Sequence, residues 1–95
     1  MTTPEKKVKD KVKKLLNELE CYFFFPATGG FGASGVPDII VCYQGHFIGI
    51  ECKAGDNKPT ILQAKNLEHI KRCGGSSIVV NEENLPDLRM WLMAQ

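Results

Sequence analysis

Ninety-five residues make one domain at most, with room for a small core. The composition, 43% hydrophobic and 24% charged, excludes a disordered chain. A net charge of +1 excludes a polycation, so any basic footprint is local.

The first element is a helix. Thr3 is placed as its N-cap, Pro4 at its first position and Glu5 in its first turn, after a frayed start at Met1. Val8, Val12, Leu15, Leu16 and Leu19 form one apolar stripe at helical spacing. The opposite face carries Lys6, Lys7, Lys9, Lys11, Lys13 and Lys14, which reads either as a solvated face or as a phosphate-facing one. "CYFFFPA" then reads as a short aromatic strand stopped by Pro26.

A glycine-rich loop runs from Ala27 to Val36. It is not a P-loop, because no Gly-Lys-Ser/Thr closes it. Gly30, Gly32 and Gly35 fit the dinucleotide spacing, yet the segment that follows reads as a strand and not a helix.

Asp38–Tyr43 and Phe47–Lys53 read as two strands, apolar at nearly every position and therefore expected to be central and covered on both faces. "AGDNKP" is a loop. Thr60 is placed as the cap of a helix running to about Cys73, with Leu62, Leu67 and Ile70 inward and Gly74-Gly75 as its stop. "SSIVV" is a further strand. A closing helix is expected over Leu85–Met93, with Leu88, Trp91 and Leu92 apolar. The order is α-β-β-β-α-β-α.

The hairpin register carries the chemistry. Residues i and i+2 of a strand share a face, so Glu51 and Lys53 do. A two-residue turn at Gln44-Gly45 pairs Tyr43 with His46 and sets Asp38 across from Glu51, about 5 Å apart at Cβ. A four-residue loop from Gln44 to Phe47 sets Asp38 across from Lys53 instead, with Glu51 still on the same face. With either of these registers two carboxylates and an ammonium meet, whereas an even sum of paired residue numbers would turn Asp38 to the other side of the sheet. Such a cluster is either an ion pair made by Lys53 or a site for a divalent metal between Asp38 and Glu51. Oxygen donors of this kind suit Mg2+ or Mn2+.

The four cysteines, at 21, 42, 52 and 73, lack zinc spacing. Cys42 and Cys52 lie within apolar runs and are expected to pack as buried thiols. His46 and His69 have no partner motif and read as ordinary surface or core histidines. No secretory signal pattern and no apolar run of membrane-spanning length is present, which points to a reducing cytoplasm and no membrane.

Pro37-Asp38 followed by Glu51-Cys52-Lys53 resembles the motif of the PD-(D/E)xK nuclease superfamily. An acid in the first helix (Glu5), Gly35-Val36-Pro37-Asp38, a hairpin, Glu51-Cys52-Lys53 and Gln63 in the next helix together resemble its virus-type replication-repair nuclease (VRR-NUC) family, over about residues 4 to 82. The resemblance implies a single nuclease domain over residues 1–95, with an α/β, restriction-endonuclease-like core whose central mixed sheet is flanked by helices.

The resemblance also implies a Mg2+/Mn2+-dependent endodeoxyribonuclease. Asp38, Glu51 and the Cys52 backbone carbonyl would hold the metal. Lys53 would orient or activate the attacking water, and Gln63 would hold the lysine or the water network. Glu5 would join them, with Glu18 and Glu20 as rival acids. Stand-alone members resemble Holliday-junction resolvases, so a homodimer acting on branched, four-way DNA in replication, recombination or repair is implied. The setting would be the cytoplasm of a bacterial or phage-infected cell. No further DNA-binding segment is legible, so Lys6, Lys7, Lys9, Lys13, Lys58 and Lys65, with Lys71 and Arg72, become the candidates for phosphate contact. The alternative is a DNA-binding module with an inactive nuclease fold.

Overall fold

A computed structural model of the chain describes residues 2–27 and 35–95. The glycine-rich loop of the sequence reading lies mostly outside the described residues, as does Met1. The elements run α1 (Pro4–Glu18), β1 (Tyr22–Phe24), β2 (Ile39–Tyr43), β3 (His46–Cys52), α2 (Ile61–Arg72), β4 (Ser76–Val80), a 3-10 turn (Leu85–Asp87) and α3 (Leu88–Met93). This is the expected order. The one departure is the closing helix, whose first turn, around Pro86, is wound as 3-10.

Local chemistry accounts for both long helices. The Thr3 hydroxyl accepts from the Lys6 N–H, with Pro4 at the first helical position. Thr60 and Gln63 form a reciprocal capping box at the start of α2. That helix ends at Cys73, after which Gly74 turns with φ +96°.

The sheet order is β1-β2-β3-β4. The first three strands are antiparallel neighbours, and β4 joins β3 in parallel after the α2 crossover. The β2–β3 turn is the two-residue solution. Gln44 and Gly45 take φ of +51° and +81°, the left-handed pair that matches the twist of a tight hairpin. Tyr43 pairs with His46 and Ile39 with Ile50.

Period-two alternation divides the sheet. Ile39, Val41, Ile48, Ile50, Cys52 and Val80 make one apolar layer with Val8, Val12 and Leu16 of α1 and Leu88 and Leu92 of α3. On the opposite face α2 packs chiefly on β4 and β3. Gly49 permits that approach, since a Cβ there would stand 2.6 Å from Ile70 Cδ1.

Cover on this second face is incomplete, which corrects two expectations. β3 is buried from Ile48 to Cys52, but Cys42 of β2 is exposed. Leu62 is 52% exposed, so on α2 only Leu67 is fully inward, with Ile70 half-buried. The cause in both cases is the position of α2, which lies over β3 and β4 and leaves the even-numbered side chains of β1 and β2 to solvent. Trp91 packs half-buried against the core, whereas Tyr22 and Phe24 of the aromatic run are exposed.

Candidate metal centre

The site forms where β2 begins and β3 ends. Continuing the hairpin register by one residue from Ile39–Ile50 sets Asp38 across from Glu51. The two carboxylates interact through charge, the negative Asp38 opposing ionisation of Glu51. The Asp38 Oδ2 accepts the Cys52 N–H at 2.9 Å, which ties the start of one strand to the end of the other. Lys53 Nζ lies 3.6 Å from Glu51 Oε2. The three residues singled out by spacing therefore meet.

Gly35 sets the approach to Asp38. It takes φ +81°, and a Cβ there would lie 2.7 Å from the Leu62 carbonyl carbon. Only glycine lets the Gly35-Val36-Pro37-Asp38 segment pass so close to the first turn of α2. Gly35→Ala is expected to cost about 1–3 kcal/mol through backbone strain and overlap with backbone. Thermal unfolding followed by circular dichroism measures this, and an unchanged midpoint would disprove the tight approach.

Glu51 is the unusual group. It is 1% exposed, and its Oε1 is buried with no hydrogen-bond partner. Burial comes first among the causes that push its pKa up, the negative charge of Asp38 second, and Lys53 works in the opposite direction; the result is about 7. A carboxylate in this condition is short of positive charge. A divalent cation between Glu51 Oε1 and Asp38 would supply it, so the donor set fits a hard metal. Among the described residues no group of three or more His, Cys, Asp or Glu side chains is disposed around a metal position. Any further oxygen donors to such an ion would therefore have to be backbone carbonyls or water. The Cys52 thiol is no candidate. Burial, then the charge of Asp38, pushes it up to about 12, and it stays protonated as a core group.

Glu5 lies at the margin, joined to the cluster through Lys9. The Lys9 Nζ is 3.4 Å from Asp38 Oδ1 and 3.8 Å from Glu5 Oε2. Burial opposes the Lys9 charge, but the contacts with Asp38 and then Glu5 prevail, and its pKa is raised. Of the rival acids, Glu18 is engaged by Arg89 at 2.6 Å, and Glu20 is an exposed residue beyond the end of α1, with φ +57°. The Gln63 Oε1 accepts the Thr60 N–H at 2.8 Å in the capping box.

The remaining basic candidates, Lys6, Lys7, Lys13, Lys58 and Lys65, are all exposed, and Lys6 pairs with Asp10 at 3.1 Å. Lys9 belonged to the same basic group in the sequence, and its place beside Asp38 was not foreseen. One signal was available: Lys9 follows Glu5 by four residues, so the two share a helix face.

A solved structure described as a VRR_NUC domain superposes on this chain with a TM-score of 0.77, covering 92% of this chain and 95% of the other at 23% identity. This chain has the VRR_NUC fold. With nearly the whole of both chains covered, the VRR_NUC likeness is one of whole architecture and not of a shared hairpin. No protein-family model matches the sequence, and no curated protein matches it. Among the described residues no helix is long and apolar enough to cross a membrane.

Proposed function

We propose that this chain is a divalent-metal-dependent DNA endonuclease, selective for branched DNA in the manner of a Holliday-junction resolvase and acting in replication, recombination or repair. The observation that carries the reading is Glu51: a buried carboxylate with one unpartnered oxygen, set against Asp38 and Lys53 at the strand ends. The VRR_NUC fold supports the same class of activity.

Asp38, Glu51 and the Cys52 carbonyl would hold Mg2+ or Mn2+. Bound there, the ion supplies charge neutralisation for the carboxylates and electrostatic stabilisation of a phosphate under attack. Lys53 Nζ, 3.6 Å from Glu51 Oε2, would orient the attacking water as a hydrogen-bond donor or, only as the neutral amine, accept its proton. Gln63 lends its remaining side-chain amide to this arrangement, and Glu5 limits the mobility of Lys9 beside Asp38. The exposed lysines Lys6, Lys7, Lys13, Lys58 and Lys65 neutralise phosphates without reading bases, so recognition follows DNA shape.

A homodimer fits a four-way junction, because two equivalent sites on a two-fold axis match a substrate of approximate two-fold symmetry. The sheet face that carries the even-numbered residues of β1 and β2 and the odd-numbered ones of β3 supports it: Tyr22, Phe24 and Phe47 are 73%, 48% and 48% exposed and lie on one side of the sheet beside Cys42. Phe47→Lys is expected to convert a dimer into a monomer of unchanged fold, as read by light scattering. A wild type that is monomeric at every concentration would remove the dimer from the proposal. The setting we infer is the cytoplasm of a bacterial or phage-infected cell.

The test of activity is a panel of labelled four-way junctions, flaps, nicked and plain duplexes, with and without Mn2+, on wild type and Lys53→Ala. Metal-dependent cutting of branched DNA by the wild type alone is the expected result. The second reading is a DNA-binding module with an inactive nuclease fold. It is favoured by Lys9, which already sits on the Asp38 oxygen that a metal would use. In that case DNA affinity falls steeply with salt and no arm of the panel shows cleavage.

A further inference from the structure

We infer that Lys9 is an internal counter-cation, holding the metal-facing oxygen of Asp38 in the metal-free protein and displaced when a divalent ion binds. The inference rests on the reading of Asp38 and Glu51 as metal ligands.

The geometry singles out Lys9 from the lysines of α1. Its side chain is 31% exposed, against 61% for Lys6. Lys6 pairs with Asp10 on its own helix, whereas Lys9 reaches off the helix to Asp38 at 3.4 Å. The two oxygens of Asp38 have different employment. Oδ2 is committed to the Cys52 N–H and Oδ1 to the Lys9 ammonium. Oδ1 is thus the oxygen available to a cation, and Lys9 supplies the cation.

Glu51 shows the same division. Its Oε2 faces Lys53, and its Oε1 has no partner. One ammonium therefore stands on each carboxylate, and the buried Oε1 is left over. An ammonium is monovalent and sits on a tether, so it cannot bridge both carboxylates. A divalent ion seated between Oε1 and Oδ1 would stand beside Lys9 and repel it. Lys9 has somewhere to go. A groove of about 370 Å³ opens on the solvent side of α1, lined by Lys6, Lys13, Thr3 and Phe25 as well as by Lys9 itself. Glu5, 3.8 Å from the ammonium, lines the same groove and can keep the displaced charge paired.

Occupation by Lys9 is therefore a competitor that the metal must overcome. Removing its charge tightens metal binding even though it removes a favourable contact from the metal-free protein. A residue with a merely structural role gives no such gain.

The experiment is calorimetric titration of Mn2+ alone into the full chain, without DNA. Lys9→Gln is expected to bind Mn2+ about tenfold more tightly than wild type. Lys9→Arg, which keeps the cation, should bind as the wild type does. The gain should vanish when Asp38→Asn is added to Lys9→Gln. Thermal melting supplies the second readout. In EDTA, Lys9→Gln should melt below wild type, and saturating Mn2+ should close the gap. Equal or weaker Mn2+ binding by Lys9→Gln, with a melting deficit of the same size with and without Mn2+, would overturn the counter-cation and leave the ligand reading standing. If neither protein binds Mn2+, the ligand reading falls and the counter-cation with it.

Discussion

Glu51→Gln should melt at a higher temperature than the wild type in EDTA at pH 8, while losing Mn2+ binding and cleavage together. The buried carboxyl is pushed from the ordinary glutamate value of 4.5 to about 7, first by burial and then by the charge of Asp38. A folded-state pKa above the unfolded one means that the protonated form is the one the fold favours. The stability that goes with that form is fully present below the unfolded pKa and is lost as pH rises through about 7. At pH 8 the ionised Glu51 therefore costs the metal-free protein up to about 3 kcal/mol. Glutamine keeps the shape and removes the charge. It gives up the contact with Lys53, so a net gain of about 1–2 kcal/mol is the expected outcome. For a domain of this size that is roughly 5–15 °C in melting midpoint.

The pH profile separates this cause from a general packing gain. Wild type in EDTA should lose stability between about pH 4.5 and 7 and change little from this source above that window, whereas Glu51→Gln should lack that component. Saturating Mn2+ should reverse the order of the two proteins, because metal binding stabilises only the chain that retains the carboxylate. A Glu51→Gln protein less stable than wild type at pH 8 in EDTA would show that Lys53 already compensates the charge, and the case for a metal would lose its main support.

The second large effect concerns Lys53. Lys53→Ala is expected to lower the rate of metal-dependent cleavage by about 10²–10⁴-fold, the range for removing a group that transfers or holds a proton in the reaction. Junction binding in EDTA should change little, since one partly buried ammonium adds little to an affinity set by exposed lysines. Asp38→Ala should match it in cleavage but differ in metal binding, because in the proposed site Asp38 would hold the ion and Lys53 would not. Lys53→Arg decides what the lysine does. A guanidinium keeps the positive charge but does not give up a proton near neutral pH. Retained activity would assign Lys53 to orienting the water, and loss equal to that of alanine would assign it to proton transfer. Normal cutting by both Lys53→Ala and Asp38→Ala would refute the mechanism.

Much of this site is legible in the sequence, and the reason is local. Helix ends are written in short-range chemistry, as Thr3-Pro4 and Thr60 with Gln63 show. Strand parity is equally local, so a turn of two or four residues at Gln44-Gly45 brings Asp38 to the same face as Glu51 and Lys53, and a three-residue turn would not. Two turn lengths satisfied that condition on paper. The positive φ values of Gln44 and Gly45 select the shorter one, which opposes Asp38 to Glu51 and leaves Lys53 alongside.

The misjudged residues share a different property. Cys42 and Leu62 are apolar residues in the midst of apolar patterns, and nothing local distinguishes them from Ile50 or Leu67. Their exposure follows from where the α2 crossover sets its helix, over β3 and β4, which is a matter of chain routing and not of periodicity. Lys9 is the polar counterpart. Six lysines share the first sixteen residues, and the roll of α1 against the sheet turns Lys9 toward Asp38.

The sequence by itself determined the elements, their caps, the hairpin and the company of Asp38, Glu51 and Lys53, because each depends on neighbours a few residues away or on a two-residue period. Tertiary structure alone decided that Glu51 is sealed with an oxygen to spare, that Lys9 holds Asp38, and that one sheet face is covered over β3 and β4 but left open over β1 and β2. Each of these depends on which surfaces distant segments cover, and burial is what turns an ordinary carboxylate into one that calls for a cation.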